Sequence, residues 1–81
     1  MNERLKLRGA LEEKKIRAQD LAVRAAGIIR AMRDLTLPAA VTPLAEIDSA
    51  QILQLAAMLH EIRTNYISLV SDIEELKREL G

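Results

Sequence analysis

Apolar residues recur along the first half of the chain at alternating steps of four and three. The series is Leu7, Leu11, Lys14, Ala18, Leu21, Ala25, Ile28, Met32 and Leu35, with Lys14 its one polar member. Spacing of this kind draws a seam along one side of an α-helix, the heptad pattern of helices that pack lengthwise. Taking Leu11, Ala18, Ala25 and Met32 as heptad position a places Leu7, Lys14, Leu21, Ile28 and Leu35 at d, and predicts a helix over about residues 2–36. A second seam, with no polar member, runs through Ile52, Leu55, Leu59, Ile62, Tyr66, Leu69, Ile73, Leu76 and Leu80. It predicts a helix over about residues 48–80, with Ile52, Leu59, Tyr66, Ile73 and Leu80 at a.

The punctuation between the seams fits two helices joined by a stiff link. Pro38 ends the first helix, because a proline disfavours helical geometry at the residue before it, here Leu37. Residues 37–47 form the connection. Its prolines, Pro38 and Pro43, stiffen it, and Thr42-Pro43 fits the start of a short extra turn. Asp48-Ser49-Ala50-Gln51 reads as a capping box with Asp48 as N-cap, and Ile47 with Ile52 as the accompanying hydrophobic staple. Gly81 fits a helix stop.

Each helix is about 50 Å long at 1.5 Å per residue. Equal lengths and a short link imply an antiparallel pair. The register follows when residues are paired so that their numbers sum to 87. Leu35 then meets Ile52, Ile28 meets Leu59, Ala25 meets Ile62, Ala18 meets Leu69, Lys14 meets Ile73 and Leu7 meets Leu80. Every seam residue finds a seam partner, always a against d. The expected fold is therefore all-α: one coiled-coil-like antiparallel helical hairpin spanning residues 1–81.

The apolar faces are wider than a two-helix seam requires. Ala22, Ala26 and Ile29 flank the first seam, and Leu53, Ala56, Ile67 and Val70 flank the second, all at positions e and b beside a. They widen each face to roughly 140–160°, the width of a helix with more than one neighbour. These seven residues are the expected oligomer interface, and the expected assembly is a homodimer forming a four-helix bundle. Gly27, in the small-residue stretch from Ala22 to Gly27, has two readings: a close contact with a partner chain, or a tolerated surface glycine.

Composition narrows the chemistry. The chain has 81 residues, a size marginal for independent folding, and no cysteine, which removes disulfides, thiolate chemistry and Cys-based zinc sites. Hydrophobic residues make up 49%, yet Tyr66 is the sole aromatic residue, a balance that favours helix on helix over sheets. Charges interrupt the chain before the ~18 apolar residues of a membrane span are reached, and the N-terminal stretch lacks an apolar signal core. A cytoplasmic location with no membrane contact is the expectation.

The net charge is zero, but residues 1–36 carry nine Lys/Arg and five Asp/Glu, while residues 37–81 carry three and seven. The halves are thus +4 and −4 and are expected to attract one another across the hairpin. Arg4, Lys6, Arg8, Lys14, Lys15 and Arg17 form a basic N-terminal segment and are candidate nucleic-acid contacts. Glu3, Glu12 and Glu13 dilute it, and no aromatic residues interleave for base stacking.

Nothing in the sequence converges on catalysis, a metal or a cofactor. His60 falls at position b, where a half-exposed surface residue is expected. Glu12-Glu13 and Glu74-Glu75 fall on polar faces, and the Glu-x-x-His motif of di-metal bundles is absent. Tyr66 sits at a and is expected to be mainly core. Lys14 is expected to pack its stem in the seam and reach Asp72 or Glu74 with its ammonium, fixing register rather than doing chemistry.

The segments from Leu7 to Glu13, from Ile28 to Leu35 with Leu37-Pro38, and from Leu69 to Gly81 resemble small uncharacterised helical proteins from the early regions of Mu-like transposable prophages. The resemblance covers most of the chain and implies an accessory role, with no active residues to carry over. The functional expectation is a non-enzymatic, self-associating structural or protein–protein interaction module. The alternatives are a nucleic-acid accessory protein and an adaptor that grips a helix of another protein.

Overall fold

The computed structural model describes residues 2–81, side chains at 39 and 40 excepted. Two long helices, α1 (Glu3–Thr36) and α2 (Ser49–Leu80), pack against each other as an antiparallel hairpin, with no strand among the described residues. The rod measures 65 × 15 × 15 Å.

The register matches the seam pairing. Leu11, Ala18, Leu69 and Ile73 form a buried cluster with Leu21, Leu76 and Leu80 packed on it, as expected for Leu11 beside Leu76 and Ala18 beside Leu69. Lys14 behaves as its position requires. Its ammonium lies 3.4 Å from Asp72 Oδ2 while its side chain remains 29% exposed, so the stem packs and the charge stays wet. At the open end, Arg4 Nη2 donates to the carbonyl oxygen of Leu80 at 2.7 Å. That bond satisfies one of the last carbonyls of α2 and places a cation at the negative end of its dipole.

The expected attraction between the charged halves reduces to these contacts. Lys14–Asp72 is the one ion pair that crosses between the helices among the described residues, and the other pair, Lys15–Glu12, lies within α1 at 3.5 Å. Seam geometry sets the register, and long-range charge complementarity adds little.

The link differs from expectation in one respect. Leu37 stays helical, with φ −57° and ψ −49°, and its N–H still reaches the carbonyl of Arg33. Pro38 therefore acts by lacking an N–H, not by extending the residue before it. The chain tightens into a 3-10 turn over Leu37–Ala40. The Pro38 carbonyl then collects the N–H groups of Val41 and Thr42 and the Thr42 hydroxyl at 3.0, 2.9 and 2.6 Å. A second 3-10 turn, Leu44–Glu46, starts from Pro43, as the Thr42-Pro43 signal indicated. Asp48 Oδ1 caps α2 by accepting the Gln51 N–H at 3.0 Å, and Ile47 and Ile52 are both half-buried, as in a staple. The reciprocal bond from the Gln51 side chain is not formed. Gly81 closes α2 through its N–H to the Lys77 carbonyl at 2.8 Å, without the left-handed turn that glycine often provides there.

Candidate functional site: a one-sided apolar face

The hairpin buries little of itself. Among the described residues Leu11, Ala18, Ile62, Leu69 and Ile73 are buried, and each keeps 7–8% exposure. The accessible surface is 6322 Å², whereas a compact monomer of 9.0 kDa would show about 4,850 Å². The radius of gyration is 18.4 Å against about 12 Å for a compact chain of this length.

Of the large apolar residues left exposed outside the seam and the turn, all but Met58, which is 42% exposed at position g, lie on one side. In an antiparallel hairpin the e positions of both helices flank the same edge of the seam and the g positions flank the other. On the e side a groove of about 430 Å³ runs between the helices, lined by Leu21, Ala22, Ala25, Ala26 and Ile29 of α1 and by Leu59, Ile62, Arg63 and Tyr66 of α2. Arg63 is its only charged member. The alanines are the reason for the hollow: where α1 presents methyl groups, longer side chains of α2 have no counterpart. A neighbouring hollow continues toward the open end past Ile16, Ala22 and Val70 and becomes charged at Glu12 and Lys15. The g side is different in kind. Its groove holds Lys14, Arg17, Asp20, Arg24, Asn65 and Asp72, a mixed-charge surface.

The seven flanking residues read from the sequence fall on the apolar side. Ile29, Leu53 and Ile67 are 53%, 72% and 49% exposed. Ala22 and Ala26 are exposed, and Ala56 and Val70 are half-buried. Within one chain they remain largely uncovered. Tyr66 corrects the expectation of a core residue: it is 40% exposed and stands at the meeting of both e-side hollows. Leu21 and Ala22 line the hollow across from it and leave it partly open to water.

Other apolar residues join this surface beyond the seven. Ile16 and Val23, seven apart at position f, are 59% and 70% exposed, and Leu5, at b, is 67% exposed. Their heptad spacing beside the e/b stripe was the available signal. Leu37, Val41 and Leu44 make the turn apolar, at 67%, 86% and 86% exposed; the signal there was a connection whose large residues are nearly all aliphatic.

The basic segment is dispersed. Arg4, Lys6, Arg8, Lys14, Lys15 and Arg17 occupy heptad positions a, c, e, d, e and g, so they radiate around α1 instead of sharing a face. Arg4 is bonded to Leu80, Lys14 to Asp72 and Lys15 to Glu12. His60 is exposed, more so than the half-exposed position expected of it. A side chain added at Gly27 would meet nothing within 4 Å inside the chain, and its c position lies away from the apolar side. Among the described residues no group of three potential metal ligands comes together, and no helix is long and apolar enough to cross a membrane. The chain matches no protein-family model, no curated protein and no solved structure.

Proposed function

We propose that this chain is a non-enzymatic structural or protein–protein interaction module that works by self-association, two hairpins pairing through their apolar sides into a four-helix bundle. The observation that carries the reading is the one-sided groove, apolar apart from Arg63, with its exposed shoulders of Ile29, Leu53 and Ile67. Apolar surface contributes about 25 cal/mol for each Å² removed from water. One whole side of the rod, 65 Å long and 15 Å wide, offers roughly 1,000 Å² in all, against about 800 Å² per partner for a stable interface, with the apolar flank as its central part and polar ends as its rim. The surplus surface of the single chain supports the same reading. An accessory role, which the prophage resemblance implies, is compatible with a module that has no reactive centre.

Sedimentation equilibrium over a concentration series tests it. The expected result is a mass of two chains, about 18 kDa from the chain mass of 9.0 kDa. A mass of one chain at high micromolar concentration would overturn self-association and return the groove to a foreign helix.

A further inference from the structure

We infer that the second copy lies antiparallel on the first, so that the apolar turn of each hairpin covers the open end of the other. The inference rests on the self-association reading above and adds the direction of the partner. Position along the rod is given by α1 residue number, with each α2 residue placed at 87 minus its own number, the register the structure follows. On this scale the apolar flank runs from level 16 at Ile16 to level 34 at Leu53, with its midpoint at level 25. At 1.5 Å per residue the 65 Å rod spans about 43 levels from Glu3, so level 25 is also close to its middle. A twofold axis crossing the flank there overlaps the two hairpins along their whole length and apposes the two apolar stripes.

The apolar residues at the two ends choose between this arrangement and a parallel one. With the twofold axis across the rod, α2 faces the partner's α2. Lys77, at level 10, arrives at level 40, beside Asp48 and Glu46 at levels 39 and 41. Leu5 arrives at level 45, over the turn where Leu37 and Val41 are 67% and 86% exposed, and so the turn and the exposed leucine at the open end cover each other. With the axis along the rod, α1 faces the partner's α2 at equal level. Arg8 would then meet Lys77 and Glu12 would meet Glu74, each twice by symmetry, and Leu5 would have no apolar partner. The antiparallel arrangement has its own like-charge meetings, Arg63 with its copy beside the axis, Lys15 near Arg33 and Glu74, arriving at level 37, near Asp48, while the parallel one brings Lys15 beside Glu74; charge is thus mixed in both, and the cover of Leu5 by the apolar turn separates them. Lys15 carries its Glu12 partner with it.

The chain has no cysteine, so single-cysteine variants report geometry cleanly. Leu5→Cys and Val41→Cys are prepared separately and oxidised mildly alone and as an equal mixture, at concentrations where the unmodified chain sediments as a dimer. A disulfide needs Cα atoms within about 7 Å. The expected result is a two-chain product only in the mixture. Disulfide dimers in either variant alone, or none in any sample, would overturn the antiparallel arrangement while leaving the dimer intact. A one-chain mass for the unmodified protein would instead overturn self-association itself. Lys77→Glu supplies a sign test: the antiparallel dimer weakens several-fold because the introduced carboxylate would face Asp48 and Glu46, whereas a parallel dimer would tighten against Arg8.

Discussion

Two isoleucines on α2 separate folding from association. Ile62 is 7% exposed and Ile67 is 49% exposed, though they are five residues apart on one helix. Ile62→Ala removes packed atoms from the seam, at a cost of about 2–5 kcal/mol, against a total stability of roughly 4–12 kcal/mol for a chain this long. Thermal unfolding followed by circular dichroism should drop by at least about 10 °C. Ile67→Ala removes little that a single chain buries, and alanine's higher helix propensity offsets part of that loss. In the proposed dimer the exposed half of Ile67 becomes covered. Full burial of such a side chain is worth about 1.5–3 kcal/mol, so half is about 0.7–1.5 kcal/mol. Two copies meet in each dimer, giving about 1.5–3 kcal/mol and a dissociation constant weaker by about 10- to 150-fold. The alanine Cβ that remains favours the lower end. Sedimentation equilibrium measures the constant. An Ile67→Ala dimer as tight as the unmodified one would refute placing this flank in the interface, whatever the melting temperatures show.

Three further outcomes are expected. Gly27→Ala, in open space within a helix interior, should stabilise the chain by about 1 kcal/mol; a weaker dimer instead would show that Gly27 is a close contact with a partner. Asp48→Ala removes the side-chain oxygen that caps α2 and should cost about 1 kcal/mol in denaturant unfolding, with Asp48→Asn keeping most of it. Asp72→Asn leaves Lys14 half-wet without its ion partner and should cost under about 1 kcal/mol at low salt, a difference that shrinks as salt is raised.

The heptad pattern made most of this fold legible. Two seams, one capping aspartate and a numerical register were enough to place Leu11, Ala18, Leu69 and Ile73 together and to direct Lys14 toward Asp72. The apolar flank was legible as seven residues at e and b. That it becomes a groove was not, because its depth comes from alanines facing larger side chains across the hairpin, a property of the packed pair. Tyr66 shows where position alone misleads: a seam position places the Cβ, while the side chains across the groove decide how much of the ring is covered. Leu37 shows the same at the backbone. The proline rule concerns average geometry, whereas here the bond from the Leu37 N–H to the Arg33 carbonyl and the hydrogen bonds gathered on the Pro38 carbonyl hold it helical. The turn's exposed leucines and valine carry no helical period, so the heptad pattern says nothing of them.

The buried residues are distributed unevenly along the rod. Leu11, Ile73, Ala18, Leu69 and Ile62 occupy its open-end half and middle, while Ile28, Met32 and Leu35 with Ile52, Leu55 and Leu59, nearer the turn, are all only half-buried. Local opening is least costly where few apolar contacts must be broken. Backbone amides of the turn-proximal third should therefore exchange with solvent faster than those around Leu69 and Ile73, even though the turn joins residues close in sequence. Three of the seven flank residues, Ile29, Leu53 and Ala56, overlie that looser third. Burying these three would slow exchange where the isolated hairpin is softest, so ordering of the turn-side helices and association would be coupled.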